Sequence, residues 1–225
     1  MTDLRVLVVA KAPVPGRVKT RLGATIGATA AAEVAAASLL DTLLAGTAAA
    51  GAGRCHLALE GDLAEAVRGR ELLAAAAGWT TSPQRGSGLA ERLVHAHAAV
   101  PPGPGPVVQV GMDTPQVTAI DLVEVAGALG DADAVLGPAD DGGWWVLALR
   151  DPAAARPLLG VPMSTPTTHD DTLAALTAAG LRVAKAPALR DVDTAEDAEA
   201  VAALAPDGHF ARAWRAHRVV AGGTA

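Results

Sequence analysis

From Leu4 to Leu204, short apolar runs of β type alternate with helical stretches, and this order restricts the fold more than any other feature of the chain. Strands are expected over 4–10, 54–60, 79–82, 106–110, 134–137, 144–149 and 181–186. Helices are expected over 28–50, 65–77, 89–99, 118–129, 168–179 and 194–204, the last opened by the capping-box spacing of Thr194 and Asp197. Such alternation predicts an α/β fold with a mainly parallel central sheet and helices on both faces. The proline-rich 101–106 reads as a tight linker inside one unit, since 225 residues suit one large domain or two small ones. Aromatic residues make up only 2% of the chain, so Ala, Val and Leu must fill the core.

Two of the three lysines, Lys11 and Lys19, fall within one Gly/Pro loop directly after the first strand, together with Arg17 and Arg21. A buried strand running into such a loop and then a helix is where α/β folds place phosphate groups. Four cations in eleven residues also repel one another unless an anion sits among them. The plainer alternative is a solvated basic turn. The loop is not a Walker motif, because no glycine precedes Lys19-Thr20. On this reading the Lys19 and Arg21 charges serve a ligand and not the core.

Three acidic groups fall at expected carboxyl ends of strands: Asp113, then Asp140-Asp141-Gly142-Gly143, then Asp191-Val192-Asp193. Carboxylates that converge from separate strands repel unless a cation joins them, and hard oxygen ligands suit Mg²⁺ or Mn²⁺. Each acid also has an ordinary structural reading. Asp113 before Thr-Pro fits an Asx turn, Asp140 and Asp141 before two glycines fit turn chemistry, and Asp191 or Asp193 fits a helix cap.

Other features exclude function classes. The net charge of −6, with no basic helix and no series of stacking aromatics, argues against nucleic acid as a partner. No 18-residue apolar stretch is free of charge or glycine, so no membrane span is expected. The first apolar run is short and follows Asp3, which points to a cytoplasmic protein. The single cysteine, Cys55, reads as a small buried hydrophobe. His95 and His97 lie two apart on one helix and point to different faces, so they offer no metal pair.

The segment from Ala10 through Lys11 and Lys19-Thr-Arg-Leu22 resembles the opening motif of a bacterial glycosyltransferase-A-like family, often called selenodomain-associated transferases. Further matches are Gly88-Leu-Ala-Glu-Arg92, Gly111-Met-Asp-Thr-Pro115, Gly137-Pro-Ala-Asp-Asp-Gly-Gly143, Met163-Ser-Thr165 and Asp191-Val-Asp-Thr-Ala-Glu-Asp197, in order along residues 4–205. The basic loop also looks like that of phospholactate guanylyltransferases and, more distantly, of molybdenum-cofactor nucleotidyltransferases. Trp144-Trp145 stands where the family usually has tyrosines, and Met163 where it usually has tryptophan; both differences bear on acceptor choice.

The resemblance implies a single Rossmann-like nucleotide-diphospho-sugar transferase domain over 1–205, with 206–225 a short C-terminal helix and tail. It implies a metal-dependent transferase acting on a nucleotide sugar, or alternatively a nucleotidyltransferase moving a nucleotide from a triphosphate to a small phosphorylated or carboxylated acceptor. Lys19, Arg21 and Asp113 would be catalytic. Ala10, Lys11, Gly16, Arg17 and Gly111 would join Lys19 and Arg21 around the nucleotide and its phosphates. Asp141, Gly142, Gly143, Trp144, Ser164 and Thr165 would face the second substrate, and Asp113 and Asp193 would hold Mg²⁺ or Mn²⁺.

Overall fold

Every expected strand forms, and seven strands hydrogen-bond into one sheet in the computed structural model, which describes residues 3–221 (side chains to residue 217). In chain order, β1 (Arg5–Lys11) leads through the basic loop into α1 (Thr20–Ile26) and α2 (Ala28–Ala50). Next come β2 (Cys55–Glu60), α3 (Gly69–Ala75), β3 (Thr80–Pro83), α4 (Leu89–Ala99), β4 (Val107–Val110) and α5 (Ala119–Gly127). A hairpin of β5 (Ala134–Pro138) and β6 (Trp144–Leu149) follows, then a 3-10 segment (Pro152–Gly160) and α6 (Thr168–Ala178). The chain closes with β7 (Val183–Lys185), α7 (Ala195–Leu204) and α8 (His209–Ala221).

The strand order is β3-β2-β1-β4-β6-β5-β7. β1 pairs in parallel with β2 and β4, β2 with β3, and β5 with β7, whereas β6 runs antiparallel to both β4 and β5. The loop between β5 and β6 explains the exception. It is far shorter than the dozen or more residues a parallel crossover needs. β1 lies between strands reached in opposite directions along the sheet, so a crevice opens above the carboxyl ends of β1 and β4.

Small aliphatic side chains build the core, as the composition requires. On one face Leu4, Val6, Val8 and Ala10 of the first strand region pack with Ala35, Leu39 and Leu43 of α2 and Leu122 of α5. On the other face Leu136 and Leu147 pack with Leu93 of α4, Leu158 of the 3-10 segment and Leu176 of α6. Helix α2 is long and apolar enough to cross a membrane by length and composition, yet 61% of that window is buried here, so it serves as the core helix.

Two helices depart most from the sequence expectation, and the expected C-terminal helix forms as α8. The helix expected over 65–77 shrinks to Gly69–Ala75, because Arg68 adopts a left-handed conformation (φ 56°) and Gly69 crosses Leu63 so closely that a Cβ would lie 2.3 Å from its carbonyl oxygen. Helix α1 was not expected. Helix α8 packs Phe210 and Trp214 against Leu22, Val34 and Val201, and so belongs to the same body as the preceding residues. The terminal four residues of the expected tail lie outside the described residues.

Candidate active site at the carboxyl end of the sheet

The basic loop turns back on itself after β1. Val14 N donates to Ala12 O, Arg17 N donates to Val14 O, and Gly16 takes φ 79°, a conformation that favours glycine. Lys19 then caps α1 in a left-handed conformation (φ 46°), which is unusual for a lysine, and its side chain turns inward. Its Nζ lies 2.5 Å from Asp113 Oδ1 and 3.3 Å from Asp193 Oδ1, and it donates to the Val192 carbonyl. Burial works to lower the Lys19 pKa, but Asp113 and Asp193 outweigh it and hold the group above its ordinary value, hence charged. Val192 N donates to Asp113 O (2.9 Å), which ties the segment after β7 to the end of β4.

Two adjoining clefts open here. The first, about 530 Å³, is lined by Ala10, Lys11, Arg17, Lys19, Thr20, Arg21, Gln84 and Arg92, together with Asp113, Ser164 and Asp193. The second, about 300 Å³, is lined by Gly111, Asp141, Gly143, Trp144, Met163, Thr165, Asp191 and others. They share Val9, Leu89, Asp113, Ser164 and Asp193. Ser164, at this junction, holds φ 60°; such strained positions concentrate at functional sites.

The structure answers the charge argument in part from within the protein. Lys11 pairs with Glu60 (3.3 Å) and Arg21 with Asp193 (3.0 Å), so carboxylates already sit among the cations. Among the described residues no carboxylate pairs with Arg17. Asp113 and Asp193 do come together, but around the Lys19 ammonium. The trio whose oxygens lie within 4.8 Å of one another is Asp141, Asp191 and Asp193. Burial, reinforced by the charges of Asp141 and Asp193, pushes the Asp191 carboxyl up to about 6. Three hard oxygen donors under mutual repulsion fit a divalent cation.

The remaining expected residues divide. Gly111 lines the second cleft and not the first, while Gly16 lines neither and serves the turn. Gly142 (φ 88°) is in the lining of neither cleft, and its Cβ side is filled by the protein itself, since a Cβ there would meet Pro166 O at 2.1 Å. The loop close to it is the protein's own, and Gly142 O accepts from His169 N. Gly143 N donates to Asp141 Oδ1 (2.7 Å), so this glycine serves an Asx turn that aims the carboxylate. Trp144 is half-buried beside the second cleft, with Nε1 donating to Thr172 Oγ1, whereas Trp145 is a core residue. Arg92 and Gln84 are given no role by the sequence, and Asp191 is read there only as a member of the third acidic group, with Asp193 and not Asp191 paired to Asp113 for the metal. Arg92 was visible in the Gly88–Arg92 segment, but its helix and β1 are joined only by the fold.

A candidate nucleotide-diphospho-sugar transferase from Desulfovibrio desulfuricans G20 superposes with a TM-score of 0.81 at 25% identity, covering 98% of this chain and 97% of its own. CMP:2-keto-3-deoxy-manno-octonic acid synthetase complexed with CTP matches with a TM-score of 0.52 at 15% identity, over 91% of this chain and 99% of its own. Rv0371c from Mycobacterium tuberculosis H37Rv in complex with manganese matches with a TM-score of 0.50 at 20% identity, over 89% and 98%. No curated protein matches the chain. A family model spans residues 43–165, more than half of the sequence. With the nucleotide-diphospho-sugar transferase fold, the chain belongs to the family DUF2064, described as uncharacterized protein conserved in bacteria.

Proposed function

We propose that the protein is a metal-assisted transferase that takes a nucleotide sugar as donor and passes the sugar to a small acceptor. The observation that carries this reading is the contrast between the clefts. The first gathers Lys11, Arg17, Lys19, Arg21 and Arg92, as the phosphates of a nucleotide require. The second has no cation in its lining; it offers carboxylates, hydroxyls and the Trp144 ring, which match an uncharged, hydroxyl-bearing group such as a sugar. Asp113 and Asp193 stand on the boundary, where the bond between sugar and phosphate would lie.

In such a transfer the acceptor oxygen attacks the anomeric carbon, the carbon–oxygen bond to the phosphate breaks, and the nucleoside diphosphate leaves. Lys19 and Arg21 supply fixed positive charge against the negative charge developing on the phosphate oxygens. Lys19 needs no reorganisation for this, since Asp113, Asp193 and the Val192 carbonyl already hold it. Asp141, Asp191 and Asp193 would hold Mg²⁺ or Mn²⁺, with Asp113 engaged by Lys19 at their side. When bound, the metal supplies further neutralisation of the diphosphate. Manganese in the Rv0371c complex, on the same fold, supports this choice of ion.

The second reading is nucleotidyl transfer, favoured by the number of cations in the first cleft and by the CTP-bound synthetase of similar fold. A phosphorylated or carboxylated acceptor, however, finds no lysine or arginine in the lining of the second cleft, where the metal would be the sole positive charge. A thermal-shift panel decides between them: CTP, GTP, UDP, GDP, UDP-glucose and GDP-mannose, each with and without Mn²⁺. A ligand at a hundredfold excess over its Kd stabilises by about 2.7 kcal/mol, a shift of roughly 5–10 °C for a chain of this size. The expected result is a Mn²⁺-dependent shift larger for a nucleotide sugar than for its diphosphate. A shift with a triphosphate alone replaces this reading with nucleotidyl transfer.

A further inference from the structure

The floor of the second cleft carries a buried polar side chain that the chemistry above leaves without a role. Gln109 on β4 is 2% exposed, sits between Leu7 of β1 and Leu147 of β6, and lines the cleft. Among the described residues its side chain has one hydrogen-bond partner: Oε1 lies 2.9 Å from Nε2 of His97 on α4. His97 is fully buried, and desolvation, only partly offset by Gln109, pushes its pKa down to about 4, so the ring is neutral. A neutral imidazole carries one N–H. Among the described residues His97 Nδ1 has no partner, and a buried orphan N–H is a rarer and costlier defect than an orphan lone pair. The proton therefore sits on Nε2 and is donated to Gln109 Oε1. This fixes the amide and leaves its NH2 group free toward the cleft. The neighbouring indole N–H groups are taken, that of Trp144 by Thr172 and that of Trp145 by Pro187.

We propose that Gln109, oriented by His97, is a specificity-determining residue that donates a hydrogen bond to a hydroxyl or ring oxygen of the sugar in the second cleft. This rests on the nucleotide-sugar reading and names the group that reads the sugar. The chemistry is complementary: the acids that would hold the metal offer only acceptor oxygens, while Gln109 supplies the donor that they cannot. A ligand without an oxygen at that place leaves a buried amide unpaired and is rejected for that reason. His97 is a positioning residue, since it acts through Gln109.

Calorimetric titration with Mn²⁺ present tests the proposal, using UDP against UDP-glucose and GDP against GDP-mannose. The readout is the ratio of the two dissociation constants within each pair, which isolates the sugar. Gln109→Met, close in size and apolar, should lose about tenfold of the sugar's contribution, the worth of one neutral hydrogen bond, with binding of the bare diphosphate unchanged. His97→Phe keeps the glutamine, guards against a misfolded first variant, and should lose a smaller part of the same ratio. A full sugar contribution in Gln109→Met overturns the proposal. So does an equal loss for sugar and diphosphate in both variants, which marks the pair as structural. If the wild-type protein binds diphosphates but gains nothing from either sugar, the donor reading itself fails and takes this proposal with it.

Discussion

Lys19 and Arg21 are two residues apart and carry the same charge, yet the fold gives them different work. The Lys19 side chain is 8% exposed between two acids, and that of Arg21 is 79% exposed beside one of them. Removing the buried charge as Lys19→Met leaves Asp113 and Asp193 facing each other and should lower stability by about 2–3 kcal/mol, part of the cost of a broken buried pair being relieved by solvent at the acids. Asp113→Asn should destabilise for the complementary reason, since it takes one partner from a buried ammonium. Arg21→Ala should leave stability within about 0.5 kcal/mol while weakening phosphate binding. Urea unfolding of the three variants tests this; a Lys19→Met protein as stable as the wild type would refute the structural half of the argument. The sequence marks both residues as ligand-serving cations. That Lys19 also holds two acids together was hidden, because its partner Asp193 lies 174 residues away, beyond the reach of any local pattern.

Among the elements, α2 and α4 keep the bounds their periodicity and flanking glycines imply, and the capping box of α7 forms between Thr194 and Asp197 as spaced. Alternation predicts a mainly parallel sheet without saying which strand departs, so the antiparallel direction of β6 was hidden, although the short Asp-Asp-Gly-Gly loop permits only a hairpin. The seating of α4 on the sheet was equally hidden: His97 and Gln109 look like unrelated polar residues until the fold brings them within 2.9 Å of each other. That contact makes a pH prediction. The folded chain holds His97 near 4, whereas an unfolded histidine titrates near 6.5. Between those values only the unfolded chain takes up the proton, so this contribution is complete above about pH 6.5 and drains away as pH falls toward about 4. Between about pH 7 and about pH 5 the protein should lose roughly 2 kcal/mol through His97. His56, buried and also lowered, adds in the same sense. Asp191, raised to about 6, acts in the opposite sense in both proteins, so the readout is the difference. Over this step in chemical denaturation the wild type should lose about 2 kcal/mol relative to His97→Phe, and equal changes would place the pH sensitivity elsewhere.

For the molecule as a whole, α/β logic foretells that acids from several strands meet at one sheet edge, but the trio that meets is set by the path of the chain. The run from β7 crosses back over the sheet to Asp113, and what holds it there is hydrophobic. Val192, between Asp191 and Asp193, is buried with Leu22 of α1, Val34 of α2, and Phe210 and Trp214 of α8. Leu22 lies three residues after Lys19, so one small core clamps the basic loop and the acidic segment together, and α8 closes it. The expected boundary at residue 205 divides this clamp, because a helix near a chain end with mixed charge gives no sign in sequence of what it packs upon. Phe210→Ala should therefore act on the site without touching it. Both it and the control Leu72→Ala, fully buried in the larger core beneath α3, should lower stability by roughly 2–5 kcal/mol. Measured well below both melting temperatures, only Phe210→Ala should weaken Mn²⁺-dependent nucleotide binding, because only there does the cavity lie under Val192 and Leu22. Equal affinities in the two variants would show that Lys19, Asp113 and Asp193 hold the site together without the core beneath them.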